Sequence, residues 1–292
     1  MRVAVVGANG QLGSDLCRVL ADHEISAVPL TRRDLDVADS VQVGDVLRSI
    51  DADVVINTAA FHKVEQCEEE AAMAFAVNAI GARNLALSCR RENAVLVHFS
   101  TDYVFGGGHR EPYSESDLAH PLNVYGVSKL AGEGMIALTW EKSFVVRTCG
   151  LYGLAGSRGR GGNFVETMLK KASENTPIRV VQDQVLTPTF TADLAEAISR
   201  LIKTECYGLY HISAEGQCSW YEFAHKIFEL EGLKIDLEAV NTREFASPVQ
   251  RPAYSVLSKR KLNGLGIAMP TWQDGLSRYL GARAARVQLT AR

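Results

Sequence analysis

Two side chains with acid–base chemistry, Tyr125 and Lys129, lie four residues apart within the stretch Asn-Val-Tyr-Gly-Val-Ser-Lys-Leu-Ala-Gly-Glu over residues 123–133. On a helix this spacing puts a phenol and an ammonium on one face, where both can meet one ligand. A free tyrosine, with a pKa of about 10, transfers protons poorly near neutral pH, and a nearby positive charge favours its ionised form. The pair therefore fits proton transfer, although a packed tyrosine and a solvated lysine on an ordinary helix give the same pattern.

Three polar side chains follow a strand-like run upstream of this pair. Residues 95–99 read Val-Leu-Val-His-Phe, a buried-strand pattern that leads into Ser100, Thr101 and Asp102. Ligands of open α/β folds bind at the carboxyl ends of the strands, and a hydroxyl there can polarise a carbonyl. Thr101 could equally cap a turn. A hydroxyl after the fourth strand together with Tyr-x-x-x-Lys on the next helix is far more specific than either feature alone.

A glycine turn stands near the start of the chain. Gly7, Gly10 and Gly13 recur at three-residue spacing between a β-branched run at 2–6 and a helical pattern at 14–22. Such a turn brings the backbone close to a pyrophosphate, whose charge the helix N-terminus stabilises. A tight turn with a close helix–strand contact is the alternative, but the position at the start of a βαβ repeat favours nucleotide binding.

The second strand ends in Thr31-Arg32-Arg33, ahead of Asp34 and Asp36. The dinucleotide fingerprint has an acid near this point to bind the adenosine ribose, whereas an arginine accommodates a 2′-phosphate. We therefore predict NADPH as the preferred cofactor. NADH is the alternative if the arginines are ordinary surface charges.

Strand and helix patterns alternate through the first half of the chain. The sequence predicts strands at 2–6, 25–30, 53–57, 94–100 and 144–148, and helices at 14–22, 40–49, 65–92 and around Tyr125. This alternation requires right-handed crossovers, so we predict an α/β fold, a Rossmann-type doubly wound parallel sheet with a smaller, mostly C-terminal α/β substrate domain. Later patterns predict strands at 178–181, 208–212 and 235–240, and helices at 164–174, at 219–230, at 258–262, at 271–279 and one ending at 203.

The change of rhythm after Gly150 suggests the domain boundaries. We predict a dinucleotide-binding domain over 1–150, to which part of 185–212 returns, and a substrate domain formed by 151–184 and 213–280. Residues 281–292 contain arginines and no acid, so we expect a flexible, solvated tail.

The composition restricts the partners that the protein can have. The 292 residues carry 31 basic and 34 acidic side chains, a net charge of -3, and 47% of them are hydrophobic. Mixed charges give no field that attracts a nucleic acid polymer or an anionic membrane, and no apolar stretch approaches the ~20 residues that span a bilayer. The six cysteines form no Cys-x-x-Cys pair, which argues against a zinc site and a disulfide framework. We expect a soluble, unprocessed cytoplasmic protein.

The combined motifs resemble the extended short-chain dehydrogenase/reductases. Within them, Thr-Asp-Tyr-Val-Phe at 101–105, the stretch at 123–133, Val-Val-x-Asp-Gln at 180–184 with Pro-Thr at 188–189, and Arg-Pro-x-x-Ser-Val-Leu at 251–257 are similar to dTDP-4-dehydrorhamnose reductases. The resemblance implies an oxidoreductase that delivers hydride from NADPH to C4 of a 4-keto-6-deoxy sugar on a nucleoside diphosphate. The expected product is dTDP-L-rhamnose or a close relative, for cell-surface polysaccharide biosynthesis.

The resemblance also implies roles for individual residues. Tyr125 would donate the proton, Lys129 would lower the tyrosine pKa and bind the nicotinamide ribose, and Thr101 would bond the sugar oxygen. The other expected cofactor contacts are Gly7, Asn9, Gly10, Gln11, Leu12, Gly13, Arg32, Asp36, Val37, Ala59, Ala60, Phe61, Asn78 and Ser100. The other expected substrate contacts are Val64, Asp102 and Gly150. The partner is a small-molecule sugar nucleotide, and a homodimer is possible.

Two positions depart from the family pattern. Gly150 stands where the family commonly has a tryptophan near the sugar, so we expect a wider pocket, which leaves the sugar and the product stereochemistry open. Some members dimerise through a cation held by carboxylates; Asp15 could supply one ligand, but the acid-free tail cannot supply its partner. We therefore predict no metal requirement. His62 lies nearby and is assigned no chemistry.

Other functions of the same fold remain as alternatives. Related dehydratases have glutamate where this chain has Tyr103, and epimerases usually have a serine-rich segment before Val-Tyr-Gly, so both activities are disfavoured. A non-catalytic, NADP-binding regulatory subunit is the third alternative, because fold alone does not decide activity.

Overall fold

The computed structural model describes residues 1–156, 162–174, 176–244 and 247–290, with backbone only over 287–290. Its strands are β1 (Arg2–Val6), β2 (Ser26–Leu30), β3 (Val54–Asn57), β4 (Val95–Thr101), β5 (Ser143–Thr148), β6 (Leu151–Tyr152), β7 (Ile178–Val181), β8 (Val185–Leu186), β9 (Thr189–Phe190), β10 (Gly208–His211), β11 (Cys218–Ser219) and β12 (Leu237–Val240). Its helices are α1 (Gln11–Asp22), α2 (Ser40–Ile50), α3 (Val64–Glu69), α4 (Ala71–Phe75), α5 (Gly81–Glu92), α6 (Val124–Ala137), α7 (Phe164–Ala172), α8 (Thr191–Leu201), α9 (Trp220–Leu230), α10 (Arg260–Asn263) and α11 (Trp272–Thr290).

A six-stranded parallel sheet forms the centre of the molecule. Its strand order is β10-β5-β4-β3-β1-β2. The chain adds β2 on one side of β1 and β3 on the other, so the topological switch point lies between β1 and β3. The predicted doubly wound α/β fold is confirmed. The sixth strand, β10, pairs in parallel with β5 and so extends the five-strand sheet formed by the first half of the chain.

Alternate residues of each buried strand pack on opposite faces of the sheet. In β1, Val3 and Val5 join the hydrophobic cluster under α1 and α8, whereas Ala4 and Val6 join the cluster under α2 and α5. Both faces are therefore covered, as the apolar runs of the sequence require. A third cluster is formed mainly by α7, α9 and α11 with β7.

The helical region predicted over 65–92 is divided in the structure. Glu70, at φ -119° and ψ 51°, separates α3 from α4, and a π-helical turn at Ala76–Ile80 joins α4 to α5. The continuous segment Ala71–Glu92 is long and apolar enough, by length and composition alone, to cross a membrane, contrary to the sequence expectation. Of the most apolar 18 residues of this segment, 56% are buried inside the protein. Core helices of soluble proteins have the same property, so the segment is weak evidence for a membrane span.

The chain end differs from the predicted flexible tail at 281–292. Helix α11 continues to Thr290, so of the predicted tail only 291–292 lie outside the described residues, with backbone alone described for 287–290. The Arg283 Nε donates to Glu166 Oε1 at 2.7 Å, and Arg286 Nη1 donates to the Leu154 carbonyl oxygen at 2.7 Å. The partners of these arginines come from distant parts of the chain, which a local charge count does not reveal.

Helix α6 approaches the π-helical turn closely because residue 132 is glycine. A Cβ built at Gly132 would lie 2.3 Å from the Asn78 carbonyl oxygen, whereas a Cβ at the exposed Gly134 meets nothing within 4 Å. We expect Gly132→Ala to destabilise the protein by roughly 1–3 kcal/mol, because a backbone oxygen must move. Gly134→Ala is the matched control on the same helix and should stabilise by about 0.5–1 kcal/mol. Urea denaturation measures both, and equal effects would contradict this account of the packing.

Candidate active site

A cleft of about 1010 Å³ lies at the carboxyl ends of the sheet strands, between the sheet and the C-terminal cluster of helices. Thirteen of the residues predicted for the site line it. They are Asn9, Gly10, Gln11, Leu12, Gly13, Ala60, Val64, Ser100, Thr101, Asp102, Tyr125, Lys129 and Gly150. The structure therefore brings the glycine turn, the hydroxyl after β4 and the Tyr–Lys pair to one cavity.

Helix α6 positions Tyr125 and Lys129 as the four-residue spacing predicts. Its N-cap is Asn123, whose Oδ1 accepts the Gly126 N–H at 2.9 Å and whose Nδ2 donates to the Gln250 carbonyl at 2.9 Å. The capping side chain thus ties the start of the helix to the C-terminal segment. One turn apart, Tyr125 is half-buried and Lys129 is buried.

The phenol of Tyr125 is held as a proton donor. Burial raises the pKa of Tyr125 well above its ordinary value; a hydrogen bond with Thr101 lowers it and the charge of Asp102 raises it further. Burial has the largest effect on this pKa. The Lys129 amine is bonded to His98, and the lowering that we expect from it stays a prediction. The tyrosine therefore keeps its proton at neutral pH.

The amine of Lys129 sits at the end of a buried chain. Its Nζ lies 3.1 Å from His98 Nε2, and His98 Nδ1 lies 3.0 Å from Asn57 Nδ2. Burial lowers the pKa of Lys129 to about 8, with the Glu133 carboxylate acting in the opposite direction. Burial and the neighbouring Lys129 hold the pKa of His98 well below its usual range. Lys129 is thus a buried amine that can lose its charge near physiological pH.

An ion pair lies beneath the catalytic face of α6. Arg147 donates from Nε and Nη2 to the two Glu133 carboxylate oxygens at 2.9 and 2.7 Å, and Ser100 Oγ donates to Glu133 Oε1 at 2.5 Å. All three residues are buried. The bidentate pair ties α6 to β4 and β5, which is how Ser100 and Lys129 are kept in register.

Asp102 is a buried carboxyl beside Thr101. Ser255 Oγ, from the C-terminal segment, donates to Asp102 Oδ2 at 2.6 Å, and Thr101 Oγ1 donates to Oδ1 at 3.1 Å. Desolvation nevertheless raises the pKa of Asp102 to about 6. Its charge is therefore sensitive to pH in the range where enzymes work.

The glycine turn forms a cradle for an anion. Gly7 has a φ of +80°, and a Cβ at Gly13 would lie 2.3 Å from the Gly7 carbonyl oxygen. Gly10 is the N-cap of α1 and offers no side-chain cap, so the first N–H groups of the helix have no intrahelical acceptor. Because Gln11, Leu12 and Gly13 line the cleft, this end of α1 suits the pyrophosphate of a dinucleotide.

Several residues predicted to contact the cofactor hold the glycine turn and the loop after β3 in place. Gly7 and Ala59 meet at the turn, since a Cβ at Gly7 would lie 3.0 Å from the Ala59 nitrogen. Asn78 Oδ1 accepts the Phe61 N–H and Asn78 Nδ2 donates to the Phe61 carbonyl and to Ser128 Oγ, each at 2.9 Å. The amide of Asn78 is thereby occupied in holding the 59–62 loop against α6.

The residues after β2 lie outside the cleft. Val37 is buried against Gly81, while Arg32 is largely exposed and lies 3.9 Å from Asp36. Asp34 accepts from the Thr31 N–H at 2.8 Å and from the Thr31 hydroxyl at 2.7 Å, so its carboxylate is used in the turn.

The geometry at Gly150 explains why a glycine stands there, and the wider pocket stays a prediction. Its φ is +59°, and a Cβ there would lie 2.9 Å from the Pro188 Cα, so the position has no room for a tryptophan side chain on this backbone. The aromatic wall comes from elsewhere. Phe164 and Trp220 line the cleft with ring centroids 4.5 Å apart.

Sequence reasoning missed these rings and three cations that line the cleft, which are Lys171, Arg179 and Arg251. Arg251 donates to Ser247 Oγ at 2.7 Å and pairs with Glu65 across the cleft. The Arg-Pro motif at 251 and the aromatic residue after the capping Ser219 were usable signals. Lys171 and Arg179 carry no local signal, because only the packing of the C-terminal elements brings them to the cleft.

The proposed metal ligand Asp15 is engaged in other contacts. Thr191 Oγ1 donates to Asp15 Oδ2 at 2.5 Å, and Arg18 lies 3.4 Å from Oδ1. Within the described ranges there is no group of three or more His, Cys, Asp or Glu side chains placed to hold a metal ion. His62 is exposed at the rim of the cleft.

Comparison with known proteins gives matches along almost the whole chain. A family model described as RmlD substrate binding domain matches residues 1–284. The chain is 44% identical over 284 residues to the spore coat polysaccharide biosynthesis protein SpsK of Bacillus subtilis, covering 97% of this chain and 98% of that protein. It is 35% identical over 290 residues to a dTDP-4-dehydrorhamnose reductase of Aggregatibacter actinomycetemcomitans, covering 94% and 97%.

Among solved structures, a dTDP-4-dehydrorhamnose reductase from Bacillus anthracis in complex with NADP superposes with a TM-score of 0.91. The sequence identity is 42%, and the match covers 96% of this chain and 98% of that one. The likeness therefore includes both the parallel sheet and the C-terminal elements that close the cleft.

The buried Asp102 predicts a pH dependence of stability. Because the folded pKa of about 6 lies above the unfolded value, this group favours the folded state at low pH and that contribution is lost as pH rises through about 6. Asp102→Asn should therefore raise the free energy of unfolding by roughly 1–3 kcal/mol more at about pH 7.5 than at about pH 4.

Urea denaturation at the two pH values measures this difference. Asp117→Asn is the control with the opposite sign, because hydrogen bonds from Ser114 lower the pKa of Asp117. An effect of Asp102→Asn that does not change with pH would contradict the assignment.

Proposed function

Because the chain belongs to the family described as RmlD substrate binding domain, we propose that it reduces the C4 keto group of a nucleoside-diphosphate 4-keto-6-deoxy sugar with NADPH. The preferred reaction is dTDP-4-dehydro-L-rhamnose to dTDP-L-rhamnose, in keeping with the reductases among its relatives. The observation that carries this proposal is the meeting of Thr101, Tyr125 and Lys129 in one cleft beside the glycine turn.

The cofactor residues have complementary tasks. The first turn of α1, from Gln11 to Gly13, would bind the pyrophosphate through its backbone N–H groups. Lys129 would bind the nicotinamide ribose, and Arg32 would reach the 2′-phosphate of NADPH. When bound, NADPH supplies the hydride that adds to C4 of the sugar.

The protein supplies the proton. The phenol of Tyr125 remains protonated in the cleft and donates to the oxygen at C4 as negative charge develops there. The Thr101 hydroxyl, which donates to Asp102 Oδ1 in the structure, would turn its proton to the same oxygen and align the phenol. The ammonium of Lys129 stabilises the phenolate that remains.

The C-terminal side of the cleft would hold the nucleoside diphosphate. Phe164 and Trp220 offer aromatic faces for the base, and Lys171 and Arg251 offer charges for the phosphates. We assign the elements of 151–184 and 213–280 to a substrate domain on this basis, with 1–150 and part of 185–212 as the cofactor domain. A cytoplasmic setting fits a soluble sugar-nucleotide substrate, and a homodimer stays a prediction.

The proton donor can be tested by Tyr125→Phe. This change deletes one proton and little binding surface, so we expect kcat to fall by about 100-fold or more while the Kd for NADPH stays nearly unchanged. The assay mixes the enzyme with dTDP-4-dehydro-L-rhamnose and NADPH and follows nicotinamide absorbance.

Tyr103→Phe is the matched control, because Tyr103 lines the same cleft with its ring centroid 6.0 Å from that of Tyr125. It should retain most of kcat. Normal turnover in Tyr125→Phe would remove the role assigned here, and NADPH binding without turnover by the parent protein would favour a regulatory subunit.

The cofactor preference can be tested at Arg32. Loss of one charge-assisted hydrogen bond to the 2′-phosphate should lower kcat/KM for NADPH by roughly 10- to 100-fold in Arg32→Ala and leave that for NADH nearly unchanged. Arg33→Ala is the comparison variant, since Arg33 is an exposed neighbour of the same charge. A parent enzyme that strongly prefers NADH would refute the role of these arginines.

A further inference from the structure

Three buried residues, Asn57, His98 and Lys129, form a chain behind the proton donor. We propose that Asn57 and His98 are positioning residues that act through Lys129. When Lys129 is an ammonium, the chain contains one unfavourable contact between two hydrogen-bond donors. This contact destabilises the ammonium relative to the neutral amine, so that both forms are populated. The inference deepens the proposed function, and its test by the pH dependence of turnover rests on that function.

The orientation of Asn57 starts the chain. Asn57 and His98 are partners in the parallel register of β3 and β4, so their side chains meet on the face of the sheet covered by α6. Asn57 Oδ1 accepts the Ala59 N–H at 3.0 Å, which turns its Nδ2 toward His98 Nδ1 at 3.0 Å. In this arrangement His98 Nδ1 is the acceptor, and the ring proton of a neutral histidine must be on Nε2.

The proton on Nε2 then faces Lys129. With Nζ at 3.1 Å, an N–H at Nε2 can donate only to a neutral amine, since an ammonium has no lone pair. A charged Lys129 needs Nε2 as an acceptor, which moves the ring proton to Nδ1 and sets it against the NH₂ of Asn57. Rotating the Asn57 amide relieves that contact but sets the NH₂ against the Ala59 N–H.

Every arrangement with a charged Lys129 therefore leaves one buried donor facing another. Such an unmade hydrogen bond is costly inside a protein, so the chain opposes the ammonium. The donor–donor contact arises in either orientation of the Asn57 amide.

One charged group near Lys129 opposes the effect of the chain and favours the ammonium. Glu133, one turn further along α6, favours the ammonium, but its carboxylate is shared with Arg147 and Ser100. Tyr125 on α6 is protonated, and the Asp102 carboxyl lies beyond it after β4. Burial, opposed by the Glu133 carboxylate, lowers the pKa of Lys129 to about 8, so the loss of its charge falls just above neutral pH.

The consequence for turnover is a basic limb in the pH profile. The phenolate left by Tyr125 needs the Lys129 ammonium beside it, so kcat/KM should fall as pH rises through the pKa of Lys129. Residues that act only through Lys129 should move this limb.

Substitutions at Asn57 and His98 should move the limb in opposite directions. In Asn57→Ala no NH₂ faces a proton on Nδ1, so His98 Nε2 can accept from the ammonium without a donor–donor contact and the limb should rise by about one pH unit. In His98→Phe the acceptor is lost, so the limb should fall by about one pH unit and kcat should drop. A merely structural role predicts lower kcat in both variants with an unmoved limb, and that result would overturn the proposal.

A second measurement needs no substrate and also covers a His98→Phe variant that fails to fold. In the folded parent protein labelled with ¹⁵N-histidine, the His98 ring should carry its proton on Nε2 at about pH 9 and on Nδ1 at about pH 6.5, following the charge of Lys129. The signal is assigned by its loss in His98→Gln. In Lys129→Met the ring should hold one tautomer throughout.

The two readouts separate failure of the inference from failure of the function. A tautomer switch in a protein without turnover supports the chain and rejects the proposed reaction. Turnover with a His98 tautomer that does not change between the two pH values rejects the chain and leaves the proposed reaction standing.

Discussion

Burial of the Lys129 amine is the constraint on which the arrangement of this cleft depends. A buried ammonium loses its hydration, and the protein must replace it with hydrogen bonds and charge or else release the proton. Here the replacement is incomplete, because His98 is neutral and the carboxylate of Glu133 is bonded to Arg147. The amine is thereby left close to the point of losing its charge. Desolvation has the opposite effect on the Tyr125 phenol, since it raises the pKa and the phenol keeps its proton.

The fold supplies this environment through the packing of one helix. Helix α6 must lie close to the sheet for Lys129 to reach His98 on β4, and glycine at 132 permits the approach to the π-helical turn. The same turn carries Asn78, which holds the loop after β3 against α6. A π-helical turn inside a longer helix often marks a functional site, and here it carries the buried amide of Asn78. The π-helical turn therefore helps to position the loop that lines the cleft.

Much of this arrangement could be predicted from the sequence because it is encoded locally. The apolar runs predict the parallel strands, and the four-residue spacing puts Tyr125 and Lys129 on one helix face. The helix predicted over 219–230 is α9, where Ser219 and Glu222 form a capping box. The features that escaped prediction depend on register and packing. His98 lies within an apolar strand pattern, and only the pairing of β3 with β4 reveals that it meets Asn57. At Gly150, the direction of a missing Cβ is a property of the backbone and cannot be read from the residue type.

The central claim is that this cleft directs hydride to C4 of a keto sugar while a phenol supplies the proton. The most direct test supplies NADPH deuterated at the transferable position of the nicotinamide together with dTDP-4-dehydro-L-rhamnose, and locates the label in the product by NMR and mass spectrometry. We predict a single deuterium, bound to carbon at C4 of the sugar, in a product with the rhamnose configuration. A product without deuterium, or with exchange at other ring carbons, would contradict the account.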